Sequence, residues 1–296
     1  MSDLLIRPLR AGEAGLFESL PDPGLVGFAA FGDSYTAGAY RPEWSWVALR
    51  DGVVVARAAW WGGPGDTVPL ALDWFDFTDR DAAVRLLLSS GLRAEYSIKV
   101  PVGWRTVPAV RREAEKRIEA AGQAGLLPLV ERYRYEWTRA FGLPGSAGRL
   151  ALRPEPDDEA FLDAFRLVHT GTLDAHARRT IAAGGVDAAA REAVELLRWM
   201  PSPREWWRLA YTRDGELAGL AVPCRNHSEP VIGYIGVVPA QRGHGYAYDL
   251  LAEATHLLVG WGADRIGADT DQDNHPMAAA FARAGYPIVH EHIDLF

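Results

Sequence analysis

The sequence passes twice through the same order of predicted elements. LLIRPLRAGEAGLFESL at the start and LALRPEPDDEAFLDAFRLV past the middle each read as a short strand, an Arg-Pro break and an amphipathic helix. Further along, WSWVALRDGVVVARAAWW corresponds to WWRLAYTRDGELAGLAV, in which two β-rich runs flank an Arg-Asp-Gly turn typical of a hairpin. Near each end a helix closes on Ala-Gly and an extended strand follows. This repetition indicates a duplicated domain.

A stretch of small residues and proline, FGLPGSAG, separates the two halves at residues 141–148. We therefore place the first domain at residues 1–144 and the second at residues 145–296. Each half reads as a strand, one or two helices, an antiparallel run of strands, a helix, a strand, a helix and final strands. That order predicts an α/β fold with a mixed sheet and helices on both faces. It differs from the regular alternation of a doubly wound dinucleotide-binding fold.

Composition excludes several classes of function. The 296 residues carry a formal net charge of −8, which argues against a nucleic-acid surface because phosphate binding depends on Lys and Arg. We expect no membrane span and no secretion signal, since the sequence has neither a long apolar run nor a basic, apolar N-terminus. The single cysteine, Cys224, fits a reducing compartment and therefore the cytoplasm. The spacing of histidines and carboxylates suggests no metal site.

The most informative segment is a strand that leads through a glycine-rich loop into a helix. Val231–Val238 is β-branched and apolar, which predicts a buried strand, and Pro239 ends it. Arg242, Gly243 and Gly245 form a tight loop before a helix that begins near Tyr246. Such a joint directs unpaired backbone N–H groups and the positive end of the helix dipole toward one point. We therefore predict an anion site suited to a pyrophosphate.

This segment, V-V-P-A-Q-R-G-H-G-Y-A, resembles the acyl-CoA signature of the GNAT superfamily, V-x-P-x-x-R-G-x-G-x-[AG], at every fixed position. The resemblance implies tandem GNAT-like domains with acetyl-CoA as co-substrate. It implies that the loop amides hold the CoA pyrophosphate and that the strand end pairs with the pantetheine arm. The residues so assigned are Val237, Val238, Arg242, Gly243, His244, Gly245, Tyr246 and Ala247.

Two further positions follow from the resemblance. Asn274 opens the next predicted helix, where the family has an Asn that reaches the CoA arm, although Asn is also a good N-cap. Seven residues later the family often has a Tyr that protonates the departing thiolate, but here the residue is Phe281. Phe281 also belongs to an apolar helix stripe. We assign both residues to the cofactor site.

The N-terminal half departs from this pattern. Its strand-to-helix joint reads LALDWFDFTDRDAAVRLLL and contains no glycine. Acidic Asp76, Asp79 and Asp81 would face the phosphates there. We predict that this copy is degenerate and does not bind CoA in the usual way.

The residues that move protons are harder to assign. The GNAT family often has a Glu on the strand before the signature, but Gly233 and Tyr234 occupy that region here. Tyr234 is either a proton relay or a buried tyrosine with a satisfied hydroxyl. Asp269 and Asp271 alternate along the next strand and share one face, so they either handle the amine or are solvated acids at a strand end. We take Tyr234 and Asp271 as the catalytic candidates.

The acceptor side completes the prediction. His169, Asp174 and His176 fall in the helical region that covers the acceptor in GNAT enzymes, although a lone helical His is more often structural. We predict an acetyl-CoA-dependent N-acetyltransferase that acts on a small-molecule amine. Two alternatives remain open, a catalytically silent acyl-CoA-binding module and an aminoacyl or peptide transferase of the same fold. The net charge of −8 disfavours the latter, whose donor would be tRNA.

Overall fold

A computed structural model describes residues 3–296, which form two compact units. The N-terminal unit contains the residues up to Glu131 together with His290–Phe296, and the C-terminal unit is Arg132–Val289. In the part of the chain that the structure describes, no helix is both long enough and apolar enough to cross a membrane.

The N-terminal unit is a sheet with the strand order β1-β2-β3-β4-β5-β12. All neighbouring strands pair antiparallel except β4 and β5, which are parallel. Its strands are β1 (Leu4–Pro8), β2 (Ser45–Arg50), β3 (Val53–Trp61), β4 (Ala71–Phe77), β5 (Glu95–Val100) and the larger part of β12 (Ile288–Leu295). Its helices are α1 (Ala14–Glu18), α2 (Arg80–Ser90) and α3 (Pro108–Gln123).

The C-terminal unit repeats this arrangement with the strand order β6-β11-β10-β9-β8-β7. Only β10 and β11 pair parallel among the described strand pairs of this unit. Its strands are most of β6 (Pro128–Thr138), β7 (Ala151–Pro154), β8 (Arg208–Tyr211), β9 (Leu217–Arg225), β10 (Pro230–Val237) and β11 (Arg265–Asp271). Its helices are α4 (Asp158–His169), α5 (Ala175–Trp199), α6 (Tyr246–Gly260) and α7 (His275–Arg283).

Both predicted hairpins are present, and their turns explain the Arg-Asp-Gly sequences. Asp51 and Gly52 both have positive φ, 52° and 82°, as the two-residue turn between β2 and β3 requires. Gly215 has φ 86° in the turn between β8 and β9. The α/β class with a mixed sheet is thereby confirmed.

The compact units do not end where the sequence repeat ends. β6, the last strand of the first half, pairs with β11, and β12 pairs with β5. Each unit therefore contains the final strand of the other sequence half. The structural division at residues 131/132 and 289/290 differs for this reason from the boundary after residue 144 that the loop composition predicts.

Candidate functional site

A cavity of about 700 Å³ opens where two parallel strands of the C-terminal unit separate. The described pairing between β10 and β11 is at Val231 and Gly267, near the start of both strands. Beyond this point, among the described residues, β10 pairs only with β9 and β11 only with β6, so no strand-to-strand hydrogen bonds join the two edges that face each other. Ile235 and Val237 of β10 and Asp269 and Asp271 of β11 line the gap.

The cavity ends at the glycine loop that the sequence singled out. Gly243 and Gly245 have φ 85° and 77°, a left-handed conformation that side chains rarely adopt, and Gly245 forms the N-cap of α6. The N–H groups of residues 243–247 donate to no acceptor in the described residues. Helix N-termini with such free donors favour anions. The backbone of the loop would therefore suit a phosphate group, and the assignment of the loop to a pyrophosphate stays a prediction.

The other predicted cofactor residues lie at different depths. Gly243, Gly245, Tyr246, Ala247 and Val237 line the cavity. Val238 is buried, and its N–H donates to the Ala218 carbonyl at 3.0 Å, so that donor is already used. His244 lies outside the lining, with Nδ1 3.2 Å from the Gln241 carbonyl. Val238 and His244 therefore contribute to the packing and hydrogen bonding of the loop rather than to the cavity wall.

Arg242 lines the cavity, and its side chain bonds to backbone carbonyls. Its guanidinium donates to the carbonyls of Val237, Gly171 and Val168 at 3.2, 3.3 and 2.9 Å. Arg149 donates to the His244 carbonyl and pairs with Asp249, which is buried in the first turn of α6. Arg149 therefore holds the loop in place, and Arg242 joins the loop to the segment that precedes α5.

Asn274 and Phe281 stand on α7. Asn274 is the N-cap of this helix, with its side-chain oxygen 3.3 Å from the N–H of Met277, and it also lines the cavity. Phe281 is buried and stacks on Tyr135 with ring centroids 4.3 Å apart, and it too reaches the cavity wall. Core packing thus explains Phe281, and the residue offers no proton.

A buried carboxylate also lines the cavity, at the carboxyl end of β11. Asp271 is 2% exposed, and its Oδ2 accepts a hydrogen bond from the N–H of Ala175 at 2.7 Å. Its Oδ1 lies 3.2 Å from Nε of Arg132. Burial raises the pKa of Asp271 above the usual value; the Ala175 N–H and Arg132 oppose this rise, and the negative charge of Asp174 adds to it.

Asp174 supplies a second carboxylate in the cavity wall. One of its oxygens caps α5 by accepting from the N–H of Ala177 at 2.7 Å. Because Ala175, the next residue, bonds to Asp271, the two carboxylates lie beside each other. They give this part of the cavity an anionic surface suited to an ammonium group.

Three remaining candidates differ in access to the cavity. Tyr234 lines it and packs edge-on against Phe165, and burial raises the pKa of its hydroxyl. His169 is buried beside Tyr234, its ring nitrogens have no hydrogen-bond partner among residues 3–296, and burial lowers its pKa. His176 acts on Asp271 through its charge. Neither histidine belongs to the lining, so direct substrate contact by His169 and His176 stays a prediction.

One segment of the chain matches a known protein family. Residues 175–286, which include the glycine loop, α7 and most of the residues that line the cavity, match the model of the acetyltransferase (GNAT) family. This segment belongs to the GNAT family. Among curated protein sequences, none matches the chain.

Solved structures extend the likeness to the whole chain. A GCN5-related N-acetyltransferase from Sphaerobacter thermophilus has a TM-score of 0.62 at 14% identity, covering 99% of this chain and 94% of its own. A tandem GNAT protein from the clavulanic acid biosynthesis pathway has a TM-score of 0.53 at 15% identity, with coverages of 99% and 98%. A GNAT-family acetyltransferase from Colwellia psychrerythraea has a TM-score of 0.50 at 13% identity, with 98% of each chain covered. Such identities show the fold alone, and they confirm the tandem GNAT fold.

The N-terminal GNAT-like unit has its own separated strands, but charged side chains occupy them. β4 and β5 pair only at Ala71–Glu95 and Leu72–Tyr96. Past that point Arg117 of α3 donates to the Phe75 carbonyl at 3.2 Å and to Asp76 at 2.8 Å.

Asp76 also accepts from Arg57 at 3.0 Å, and Asp79 caps α2. Asp76 therefore lies in a buried ion network. This geometry agrees with a copy that does not bind CoA.

The sequence offered little or no signal for two residues of the GNAT site. Arg132 lies in β6, far from Asp271 along the chain, and only strand pairing brings them together. Arg283 lines the cavity from the last turn of α7, with its guanidinium 3.6 Å from the Tyr248 ring centroid. A basic residue in the last turn of a helix is usually read as a dipole partner, so the sequence did not single it out.

Proposed function

We propose that this protein transfers an acyl group from acetyl-CoA to the amine of a small molecule. The observation that carries the proposal is the set of free N–H groups of residues 243–247, at the helix N-terminus that closes the cavity. An anion with a long flexible arm would place its charge at this loop and its arm between the free edges of β10 and β11. Acetyl-CoA has that shape and supplies an activated thioester carbonyl.

The two carboxylates in the cavity wall support an amine acceptor. An alkylamine has a pKa near 10.4, so roughly one molecule in 2,500 is neutral at pH 7. Asp174 and Asp271 attract the ammonium form, and Asp271 then takes the proton that must leave before nitrogen can attack carbon. The raised pKa of Asp271 favours proton uptake. The amine nitrogen forms the new C–N bond as the C–S bond breaks.

Tyr234 is the candidate proton donor to the departing sulfur. Burial raises the pKa of its hydroxyl, so the group remains protonated at neutral pH. It lines the cavity on β10. Phe281, at the position where the family often has a Tyr, has no hydroxyl, and this motivates a second candidate, an acyl-CoA-binding module without turnover.

Amine-dependent release of CoA tests the proposal. The full chain is incubated with acetyl-CoA and a panel of alkyl amines, amino sugars and amino acid esters, and free thiol and product mass are followed. We expect release that requires both protein and amine. Reactions without amine correct for hydrolysis and for the thiol of Cys224, which is buried.

Two other outcomes of this experiment would lead to different conclusions. Thermal stabilisation by acetyl-CoA without release on any amine would favour the silent module. Neither stabilisation nor release would contradict an acyl-CoA function altogether.

A further inference from the structure

Arg242 of the glycine loop makes contacts that a phosphate-binding role does not require. Nε donates to the Val237 carbonyl at 3.2 Å, Nη1 to that of Gly171 at 3.3 Å and Nη2 to that of Val168 at 2.9 Å. Val237 ends β10, whereas Val168 and Gly171 belong to the junction between α4 and α5. One side chain therefore joins the loop to a segment about 70 residues away in sequence.

The junction is shaped to receive the guanidinium group. Val168 offers one of the last carbonyls of α4, which have no partner inside the helix and lie at its negative end. Gly171 has φ 65°, and a β-carbon there would lie 3.3 Å from Nη1 of Arg242. The planar fork of arginine can donate to three separate carbonyls in this way, whereas a lysine ammonium has no such fixed geometry.

The same junction forms the acceptor end of the cavity. Val168, Gly171, Thr172, Leu173 and Asp174 all line it. Asp174 then caps α5, and the N–H of Ala175 holds Asp271 at 2.7 Å. The hydrogen bonds of Arg242 and the short backbone segment from Gly171 to Ala175 thus connect the glycine loop to both acceptor-side carboxylates.

We propose that Arg242 is a positioning residue, which fixes the junction of residues 168–174 on the glycine loop and so sets the place of the acceptor amine. The inference rests on the proposed function. Acyl-CoA held by the loop N–H groups restrains Arg242, and Arg242 restrains Asp174. The amine consequently binds better when acyl-CoA is bound, and by linkage acyl-CoA binds better when the amine is bound.

Separating the two affinities tests this role. For Arg242→Ala we expect the KM of the best amine from the panel to rise about tenfold, within the usual range of coupling energies. The Kd of acetyl-CoA, measured without amine, should change less than about threefold. Arg242→Lys should behave like Arg242→Ala, because the charge alone does not bridge three carbonyls. A loss of acetyl-CoA affinity as large as the change in KM, or restoration by Lys, would assign Arg242 to the phosphates and overturn the inference.

Hydrogen–deuterium exchange provides a readout that needs no turnover. In the free protein, Arg242→Ala should speed exchange in peptides of residues 168–176 and leave those of helix α6 unchanged. Gln241→Ala is the matched control, because Gln241 lies in the same loop but bonds to Glu216.

CoA should protect both the loop and the junction in the wild type, but only the loop in Arg242→Ala. Protection of the loop alone in the wild type, or unchanged exchange at the junction in free Arg242→Ala, would overturn the inference. If CoA protects neither region, the proposed acyl-CoA function is contradicted. The comparison of exchange between the wild type and Arg242→Ala, both without CoA, then still tests the role of Arg242.

Discussion

Replacement of Asp271 by Asn tests the proposed base most sharply. Asn keeps the size of the side chain and an oxygen for the Ala175 N–H, so the variant removes proton uptake and leaves the geometry. The wild type can use the ammonium form of the substrate, because Asp271 accepts the proton inside the complex. The variant can use only the neutral amine, which is roughly one molecule in 2,500 at pH 7 for an amine of pKa near 10.4.

The magnitude therefore depends on pH in a defined way. We expect kcat/KM of Asp271→Asn to be lower by roughly 10³-fold at pH 7, equivalent to about 4 kcal/mol. Because the neutral fraction rises tenfold per pH unit, the deficit should shrink to roughly 10-fold near pH 9. Wild-type kcat/KM should be flat across this range and fall only as Asp271 becomes protonated at low pH.

The assay is CoA release at saturating acetyl-CoA between pH 6 and pH 9. Asp269→Asn is the matched control, since it removes a carboxylate from the same face of β11 and should not show the pH-dependent deficit. A deficit in Asp271→Asn that stays constant with pH would refute the assignment of Asp271 as base.

The raised pKa of Asp271 also predicts how the stability of Asp271→Asn depends on pH. Burial raises the pKa of Asp271 in the folded state. At pH values between the unfolded and the folded pKa, the folded protein therefore holds a proton that the unfolded chain has released. This contribution to stability is present at low pH and is lost as pH rises through the folded pKa. Asp271→Asn should therefore be stabilised relative to wild type at pH 8, with a difference that diminishes toward pH 4. Destabilisation at pH 8 would indicate that the ion pair with Arg132 outweighs burial.

Two other substitutions address the remaining assignments. Asp76→Asn leaves Arg57 and Arg117 buried without their main counter-ion, so it should lower the free energy of unfolding in urea by about 3–5 kcal/mol. Its acetyl-CoA Kd should stay unchanged under native conditions, and a lost affinity would place the N-terminal unit in the CoA site. Phe281→Tyr restores a hydroxyl at the cavity wall, and it should raise kcat if protonation of the thiolate limits the rate. An unchanged kcat with an intact melting temperature would show that Tyr234 or water already suffices.

Local patterns predicted much of this fold. The two Arg-Asp-Gly hairpins, the strand into the glycine loop and the amphipathic helix α6 all follow from short stretches of sequence. Short stretches of sequence could not predict that β6 and β12 each pair within the unit formed by the other sequence half. Both are final strands of equivalent halves, and their partners are chosen by pairing across more than a hundred residues.

The site shows the same division between local and distant signals. The cofactor loop depends on consecutive residues and was predicted. The contacts between Ala175 and Asp271 and between Arg242 and the end of α4 join distant segments. The motif named Arg242 as a cofactor-site residue but did not predict that its side chain donates to the carbonyls of Val168 and Gly171. Backbone conformation follows from glycine spacing, but side-chain direction depends on what packs beside the loop.

The central claim is that the N–H groups of the glycine loop hold the pyrophosphate of acetyl-CoA, and a pair of isosteric variants tests it directly. Asn and Asp tolerate positive φ better than other side chains, so Gly245→Asn and Gly245→Asp carry similar strain and differ in one charge. At about 5 Å from a phosphate and an effective dielectric constant near 20, that charge costs about 3 kcal/mol, or roughly a hundredfold in Kd.

The measurement is the Kd of acetyl-CoA by isothermal titration calorimetry at low salt. Gly215→Asn serves as the control for strain at a distant turn of similar φ. We predict wild-type affinity for Gly215→Asn, weaker binding for Gly245→Asn and weaker binding still, by roughly a hundredfold, for Gly245→Asp. Equal affinities for Gly245→Asn and Gly245→Asp, or wild-type affinity for both, would contradict the account.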